Sequence, residues 1–296
     1  MPPTPGSDHR SRATSAATTV VGVMGDPVAH SLSPLLHNTA FTELGIDWVS
    51  VGFRVPAGAA AEALVGARAL GIRGLSVTMP HKEVVAALAD RQTPVAQRLG
   101  AVNCIDNDGG VLVGDNTDGP GLVASLRRGG HFDPDGRRCM VVGAGGAARA
   151  VIAALADAGA TEVLVVNRTP SRGKEAAAMA GAVGRLGEAG EASRCDLVIN
   201  ATPAGMGSSD PATSPGGSTG RWSLDPTLLG PGQVVVDLVY HPPVTAWLEV
   251  AQGRGATVMN GLGMLVHQAA LQLERWTGCQ APVDAMWRAI TEATPG

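Results

Sequence analysis

Short apolar runs alternate along this chain with stretches whose apolar residues recur at helical spacing. Thr19 to Met24 reads as a buried strand, closed by the turn residues Gly25-Asp26-Pro27. Ser33 suits an N-cap and Pro34 a first helical turn, so a helix is expected from there to about Leu44. Trp48 to Phe53 alternates as a strand does, and Ala57 to Leu70 has helical period. Gly74 to Thr78 is a third strand, after which Met79-Pro80-His81-Lys82-Glu83 opens another helix with proline in its first turn. Three strand–helix pairs in succession predict an α/β unit. Cys104 to Asp106 and Val111 to Val113 flank Asn107-Asp108-Gly109-Gly110, a hairpin signature. A polar loop, Gly114 to Gly119, precedes a helix over Leu122 to Arg128, and Gly129 to Gly136 marks a boundary.

A second α/β unit follows. The strand Cys139 to Val142 runs into Gly143-Ala144-Gly145-Gly146-Ala147-Ala148, and Ala-rich helix formers come next. Further strands are expected at Glu162 to Val166, Leu197 to Asn200, Val234 to Asp237 and Thr257 to Met259. Helices are expected from Pro170, over Pro243 to Gln252, from Gly261 onward, and over Val283 to Thr291. The Ser/Gly/Pro-rich run from Gly207 to Gly220 is expected to be a mobile loop.

The glycine run fits G-x-G-x-x-A, with Gly143, Gly145 and Ala148 in the diagnostic places. The first glycine permits a tight turn, and the second lets backbone approach a diphosphate. The third, small position lets helix and strand touch. The N–H groups at the helix start then face the anion. This assigns Gly143, Ala144, Gly145, Gly146 and Ala147 to a dinucleotide. An acidic residue at the end of the second strand would hold the 2′-hydroxyl of NAD. That place holds Asn167-Arg168-Thr169, with Arg172 one turn on. The missing carboxylate and two guanidinium groups point to the 2′-phosphate of NADP, although both arginines also read as ordinary surface residues.

Composition narrows the partners. The 296 residues suffice for two domains, 45% are hydrophobic, and the net charge is -4 without basic clustering. Nucleic acid and anionic membrane surfaces are therefore not expected partners. No apolar run has membrane-spanning length. Residues 1–18 are rich in Pro, Ser, Thr and Ala and lack the apolar core of a signal peptide. They are expected to be a disordered tail on a cytoplasmic protein. Cys104, Cys139, Cys195 and Cys279 stand far apart with no ligand spacing, so neither structural zinc nor a disulfide framework is expected.

A nicotinamide enzyme acting on an alcohol must manage the hydroxyl proton. A Tyr-x-x-x-Lys pair is impossible, because the only tyrosine, Tyr240, has Val244 four residues on. His30, His81 and His267 have no acidic partner nearby in sequence. Lys82 remains, at a helix start where the macrodipole disfavours a cation. Asp118 is the candidate carboxylate to tether it. Spacing alone leaves open that Lys82 is an ordinary exposed lysine.

Six ordered motifs together resemble the shikimate dehydrogenase family. They are Gly25 to Pro34, Ser76 to Lys82, Gly100 to Asn103, Gly114 to Gly119, Asn200 to Met206 and Gly261 to Gln268. The resemblance covers nearly everything from Thr19 onward. It implies reversible reduction of 3-dehydroshikimate to shikimate by NADPH, with Lys82 and Asp118 as the acid–base pair. It implies Ser31, Ser33 and Tyr240 at the substrate carboxylate, and Thr78, Asn103, Asp118 and Gln268 at the ring hydroxyls. Thr202, Leu238 and Gly261 would line the nicotinamide side. It implies a two-domain α/β fold with a cleft between the domains. Residues 19–120, completed by 262–296, would bind substrate, and residues 121–261 would form a Rossmann domain for NADP. Ser76 stands where many members carry Asn, which bears on substrate detail. Quinate or aminoshikimate as substrate, and a non-catalytic NADPH-binding or sensing protein, are the competing readings. A monomer or homodimer is expected.

Overall fold

The computed structural model describes residues 14–205 and 224–294. The expected disordered tail lies largely, and the expected mobile loop Gly207 to Gly220 wholly, outside the described residues. In chain order the elements are β1 (Thr19–Gly25), α1 (Ser33–Glu43), β2 (Trp48–Arg54), α2 (Ala60–Ala69), β3 (Gly74–Val77) and α3 (Lys82–Leu88). Then come β4 (Arg91–Gln92), α4 (Pro94–Leu99), β5 (Cys104–Asp108), β6 (Val111–Asp115) and α5 (Asp118–Gly129). The second half holds β7 (Arg138–Val142), α6 (Gly146–Asp157), β8 (Glu162–Val166), α7 (Pro170–Ala177), β9 (Gly184–Leu186) and β10 (Leu197–Asn200). It ends with β11 (Val234–Asp237), α8 (Ala246–Gly253), β12 (Thr257–Met259), α9 (Leu262–Thr277) and α10 (Val283–Ala293).

These strands build two sheets. The first has the order β2-β1-β3-β5-β6-β4, with β1, β2 and β3 parallel and the β5–β6 hairpin antiparallel. Gly109 and Gly110 close that hairpin with φ of 59° and 96°, the pair of positive values that a type I′ turn requires. The second sheet is parallel throughout, in the order β12-β11-β10-β7-β8-β9. This is the doubly wound arrangement, whose order reverses between β7 and β10 and leaves a crevice at the strands' carboxyl ends. Its strands are buried on both faces, Val141, Val163 and Val165 on one side and Met140, Leu164 and Val198 on the other. That double burial explains why they read as continuous apolar runs.

The last two helices return to the first sheet. Val266, Ala269, Leu273 and Trp276 of α9, with Met286 and Ile290 of α10, share one core with Val21, Leu36, Phe41 and Cys104. Trp276 also donates its indole N–H to the Ile105 carbonyl at 2.9 Å. Its ring fills the space over Gly74, where a Cβ would fall 2.3 Å from Nε1.

Several helix starts differ from expectation. Helix α2 begins at Ala60 and α8 at Ala246, where Thr245 caps the helix by accepting from Leu248 N–H. Helix α3 begins at Lys82, and Pro80 lies in the turn before it. Ser33 is the first residue of α1 and makes no capping bond. The pattern missed β4, α4 and β9, which have two, six and three residues, too few to display a period.

His37 of α1 is wholly buried, edge-on to Trp276 and 3.3 Å from the Ser50 hydroxyl. Burial pushes its imidazole down to about 4 from the ordinary 6.5, partly offset by the Ala269 backbone. Between those values the unfolded chain takes up a proton that the native chain does not. The stability involved is present above pH 6.5 and is lost as pH falls through 4, about 3 kcal/mol in all. Replacing His37 with Gln should flatten this part of the acid limb in denaturation curves taken from pH 7 to pH 4. An unaltered acid limb would contradict it.

Candidate active site

The carboxyl ends of β1 and β3 and the start of α9 meet the loop after β11 around a cavity of about 340 Å³. Its lining includes Ser31, Ser33, Thr78, Lys82, Asn103, Asp118 and Gln268 from the first lobe and α9. Ala147, Leu238, Tyr240 and Gly261 line it from the other side. All eight residues expected at substrate or in catalysis are therefore brought together. His30, Ser76, Met79 and Met264 also line it and were not singled out as site residues, although all four stand inside the motifs that carry the family resemblance.

Lys82 and Asp118 occupy the first positions of α3 and α5. Lys82 Nζ donates to Asp118 Oδ2 at 2.5 Å, with side-chain exposures of 24% and 8%. The other carboxylate oxygen accepts from Asn103 Nδ2 at 2.7 Å, and the Asp118 N–H donates to Asn116 Oδ1 at 3.1 Å. Thr117, not Asp118, occupies the N-cap position of α5, so the carboxylate is left to Lys82. Asn103, expected at a ring hydroxyl, lines the cavity and is also bonded within the protein. Its amide donates to Asp118 and to Thr117 Oγ1, and its carbonyl accepts from Thr117 N–H at 2.7 Å. Both amide hydrogens are thereby taken.

Small residues allow this crowding. A Cβ on Gly119 would fall 2.4 Å from the Ala150 carbonyl of α6, and one on Gly121 would fall 2.7 Å from the Gln268 nitrogen of α9. Gly263 lies against Ser125, and Gly261 against the Leu238 carbonyl, where added Cβ atoms would approach to 2.0 and 2.1 Å. Helix α5 is therefore clasped between α6 and α9 at backbone distance, which fixes where Asp118 stands.

The residues expected to face the nucleotide lie along the carboxyl edge of the second sheet, and most stand outside the 340 Å³ cavity. Gly143, with φ of 118°, turns the chain after β7, and a Cβ there would meet the Ala201 carbonyl at 3.1 Å. Gly145 and Gly146, at the start of α6, face open space, with nothing within 4 Å of an added Cβ. A phosphate group fits such a cradle, because backbone N–H groups can reach it without a side chain intervening. Arg168 and Thr169 follow β8, Arg172 lies in the first turn of α7, and all three are exposed. Asn167 stands beside them and donates to the Thr169 carbonyl at 2.9 Å. No carboxylate ends β8, so the donor set suits a 2′-phosphate.

Two buried polar residues that the sequence did not single out hold the loops next to this edge. Asn200 Oδ1 accepts from the Thr202 hydroxyl at 2.7 Å, and Asn200 Nδ2 donates to Asp237 Oδ1 at 3.0 Å. Asp237 also accepts from Val239 N–H at 3.0 Å and from the Thr245 hydroxyl at 2.7 Å. It is fully buried, and burial pushes its carboxyl up to about 6 against these bonds. Burial also raises Tyr240. Of the other histidines, His81 Nε2 lies 2.7 Å from the Val55 carbonyl, while burial and then Arg128 lower His267.

The profile described as "Shikimate dehydrogenase substrate binding domain" matches residues 23–105. "Shikimate / quinate 5-dehydrogenase" matches 128–206, and "Shikimate 5'-dehydrogenase C-terminal domain" matches 261–291. "Shikimate dehydrogenase (NADP(+))" of Moorella thermoacetica is 47% identical over 288 residues, 94% of each chain. This chain belongs to the shikimate dehydrogenase family. A relative of the same name from Methanopyrus kandleri is 43% identical over 94% of this chain and 96% of its own. The fold agrees with the family too. The structure of shikimate 5-dehydrogenase from Thermus thermophilus in complex with NADP(H) and shikimate matches at a TM-score of 0.84 and 38% identity. It covers 93% of this chain and 100% of that one.

In this member of the family the α5–α9 crossing tolerates no side chain at residue 121. Gly121→Ala should destabilise the protein by about 1–3 kcal/mol and lower kcat/KM, by forcing Gln268 and Asp118 apart. Urea denaturation and steady-state kinetics check this. Unchanged values in both would show that the helices are not in backbone contact.

Proposed function

We propose that this chain catalyses the reversible reduction of 3-dehydroshikimate to shikimate by NADPH, a step of aromatic amino acid biosynthesis. The observation that carries this reading is the Lys82–Asp118 pair, 2.5 Å apart and mostly buried on the wall of a cleft rich in hydroxyl and amide groups. In our reading residues 19–120 with 262–296 hold the substrate, and residues 121–261 hold the cofactor. Ser31, Ser33 and Tyr240 take the substrate carboxylate, and Thr78, Asn103, Asp118 and Gln268 take ring hydroxyls. Asn103 also holds the Asp118 carboxylate.

Bound NADPH supplies the hydride. As the carbonyl carbon accepts it, the C=O π electrons move to oxygen, and the Lys82 ammonium delivers the proton that this oxygen takes up. Asp118 keeps the amine aimed and balances its charge while it is an ammonium. The amine regains its proton from water, which its partial exposure permits. In the oxidative direction the neutral amine accepts the hydroxyl proton. Gly143, Ala144, Gly145, Gly146 and Ala147 would hold the diphosphate, and Asn167, Arg168, Thr169 and Arg172 the adenosine 2′-phosphate. Thr202, Leu238 and Gly261 would flank the nicotinamide.

No described helix is long and apolar enough to cross a membrane. We place the protein in the cytoplasm, as a monomer or homodimer acting on small molecules. Its four free thiols are consistent with a reducing compartment.

A panel of shikimate, quinate and aminoshikimate, each with NADP and with NAD, tests the assignment. Shikimate with NADP should give the highest kcat/KM. Lys82→Ala should lower kcat by at least about 100-fold while leaving the dissociation constant for NADPH nearly unchanged. Undiminished turnover would remove Lys82 from its role, and faster oxidation of quinate with NAD would redirect the substrate assignment.

A further inference from the structure

Gln272 is not among the residues that line the cleft. It lies on α9, one turn beyond Gln268, and is wholly buried. Its Nε2 donates to the Asn103 carbonyl at 3.0 Å and to Gln268 Oε1 at 2.9 Å. Two oxygen acceptors around one amide nitrogen fix which way this amide faces. Turned over, it would set oxygen against both of them. Its own Oε1 is buried without a protein partner. Such an orphan opposes folding, so an apolar residue would suit this place better if packing were all that mattered.

The orientation passes on to Gln268. Gln268 Oε1 is held by Gln272, and Gln268 Nε2 donates to the Leu265 carbonyl at 2.9 Å. Reversing the Gln268 amide would bring nitrogen against nitrogen on one side and oxygen against oxygen on the other. The second hydrogen on Gln268 Nε2 is left over, and Gln268 lines the cleft that holds Lys82 and Asp118.

We propose that Gln272 is a positioning residue that fixes the polarity of the Gln268 amide, so that Gln268 offers the cleft an N–H donor. The substrate oxygen facing it must then act as an acceptor. A ring hydroxyl that accepts from Gln268 keeps its own hydrogen for an acceptor elsewhere in the cleft. A group at that ring position without a lone pair to offer, such as an ammonium, is disfavoured. This inference rests on the reading that Gln268 contacts the substrate.

Gln272→Met keeps length and volume but removes the donor. It should raise KM for shikimate by about 5-fold, with kcat and KM for NADP each changed by less than about 2-fold. Gln268→Ala should raise KM for shikimate at least as much. Gln272→Met added to Gln268→Ala should then raise it by less than about 2-fold more, since the partner it acts through is gone. Gln272→Leu gives the same comparison should the methionine variant fail to fold. If Gln268→Ala raises KM but loss of the Gln272 donor does not, the inference falls while the site reading stands. If Gln268→Ala itself leaves KM unchanged, the site reading falls and the inference with it. An equal effect of Gln272→Met with and without Gln268 would assign Gln272 to packing alone.

Discussion

A cation and an anion drawn out of water must be held together closely, or neither stays charged. Lys82 and Asp118 meet this condition on the cleft wall, and much of the first lobe follows from it. Each oxygen of the Asp118 carboxylate has a donor, one from Lys82 and one from Asn103. Asn103 is fixed in turn by Thr117, and Thr117 reaches the Gln268 carbonyl on α9 at 3.1 Å. The pair is thus the centre of a network that ties the first sheet to a helix from the far end of the chain. Losing one partner from such a pair leaves a buried charge uncompensated, at a cost of about 3–5 kcal/mol. The glycines at 119, 121 and 263 serve the same end by letting three helices meet at backbone distance.

The second sheet presents a complementary edge. Its order reverses between β7 and β10, and the loops after β7, β10 and β11 converge there. Asp237 and Asn200 lock two of these loops from below, which keeps Thr202, Leu238 and Tyr240 in fixed relation to the cleft. The Gly261 N–H joins the same assembly by donating to the Val239 carbonyl at 3.2 Å. The chain then enters α9, which carries Gln268 and Gln272 back to the first sheet. One helix therefore starts beside the carboxyl edge of the second sheet and ends in the core of the other lobe.

The sequence made some of this legible and hid the rest for physical reasons. Turn chemistry was readable because it depends on neighbouring residues: Asn107 to Gly110 closed a hairpin, and Gly143 took the left-handed conformation. The pairing of Lys82 with Asp118, 36 residues apart, was reachable only as the candidate tether and through the family resemblance. Helix starts moved by up to four residues because caps and turns decide them, as Thr245 does for α8, and period alone does not. The bonding partners of Asn103, Asp237 and Gln272 were opaque for another reason. Their bonds run to partners up to 169 residues away, and the amide of Asn103 is claimed by groups that no spacing rule connects to it. A buried polar residue is informative only once its partners are known.

The most direct measurement is a crystal structure with shikimate and NADP bound. Lys82 Nζ should lie about 2.6–3.2 Å from the hydroxyl oxygen that changes oxidation state, with the Asp118 carboxylate still bonded to the amine. An amine turned out to solvent, with the bound alcohol and Asp118 out of its reach, would contradict the account.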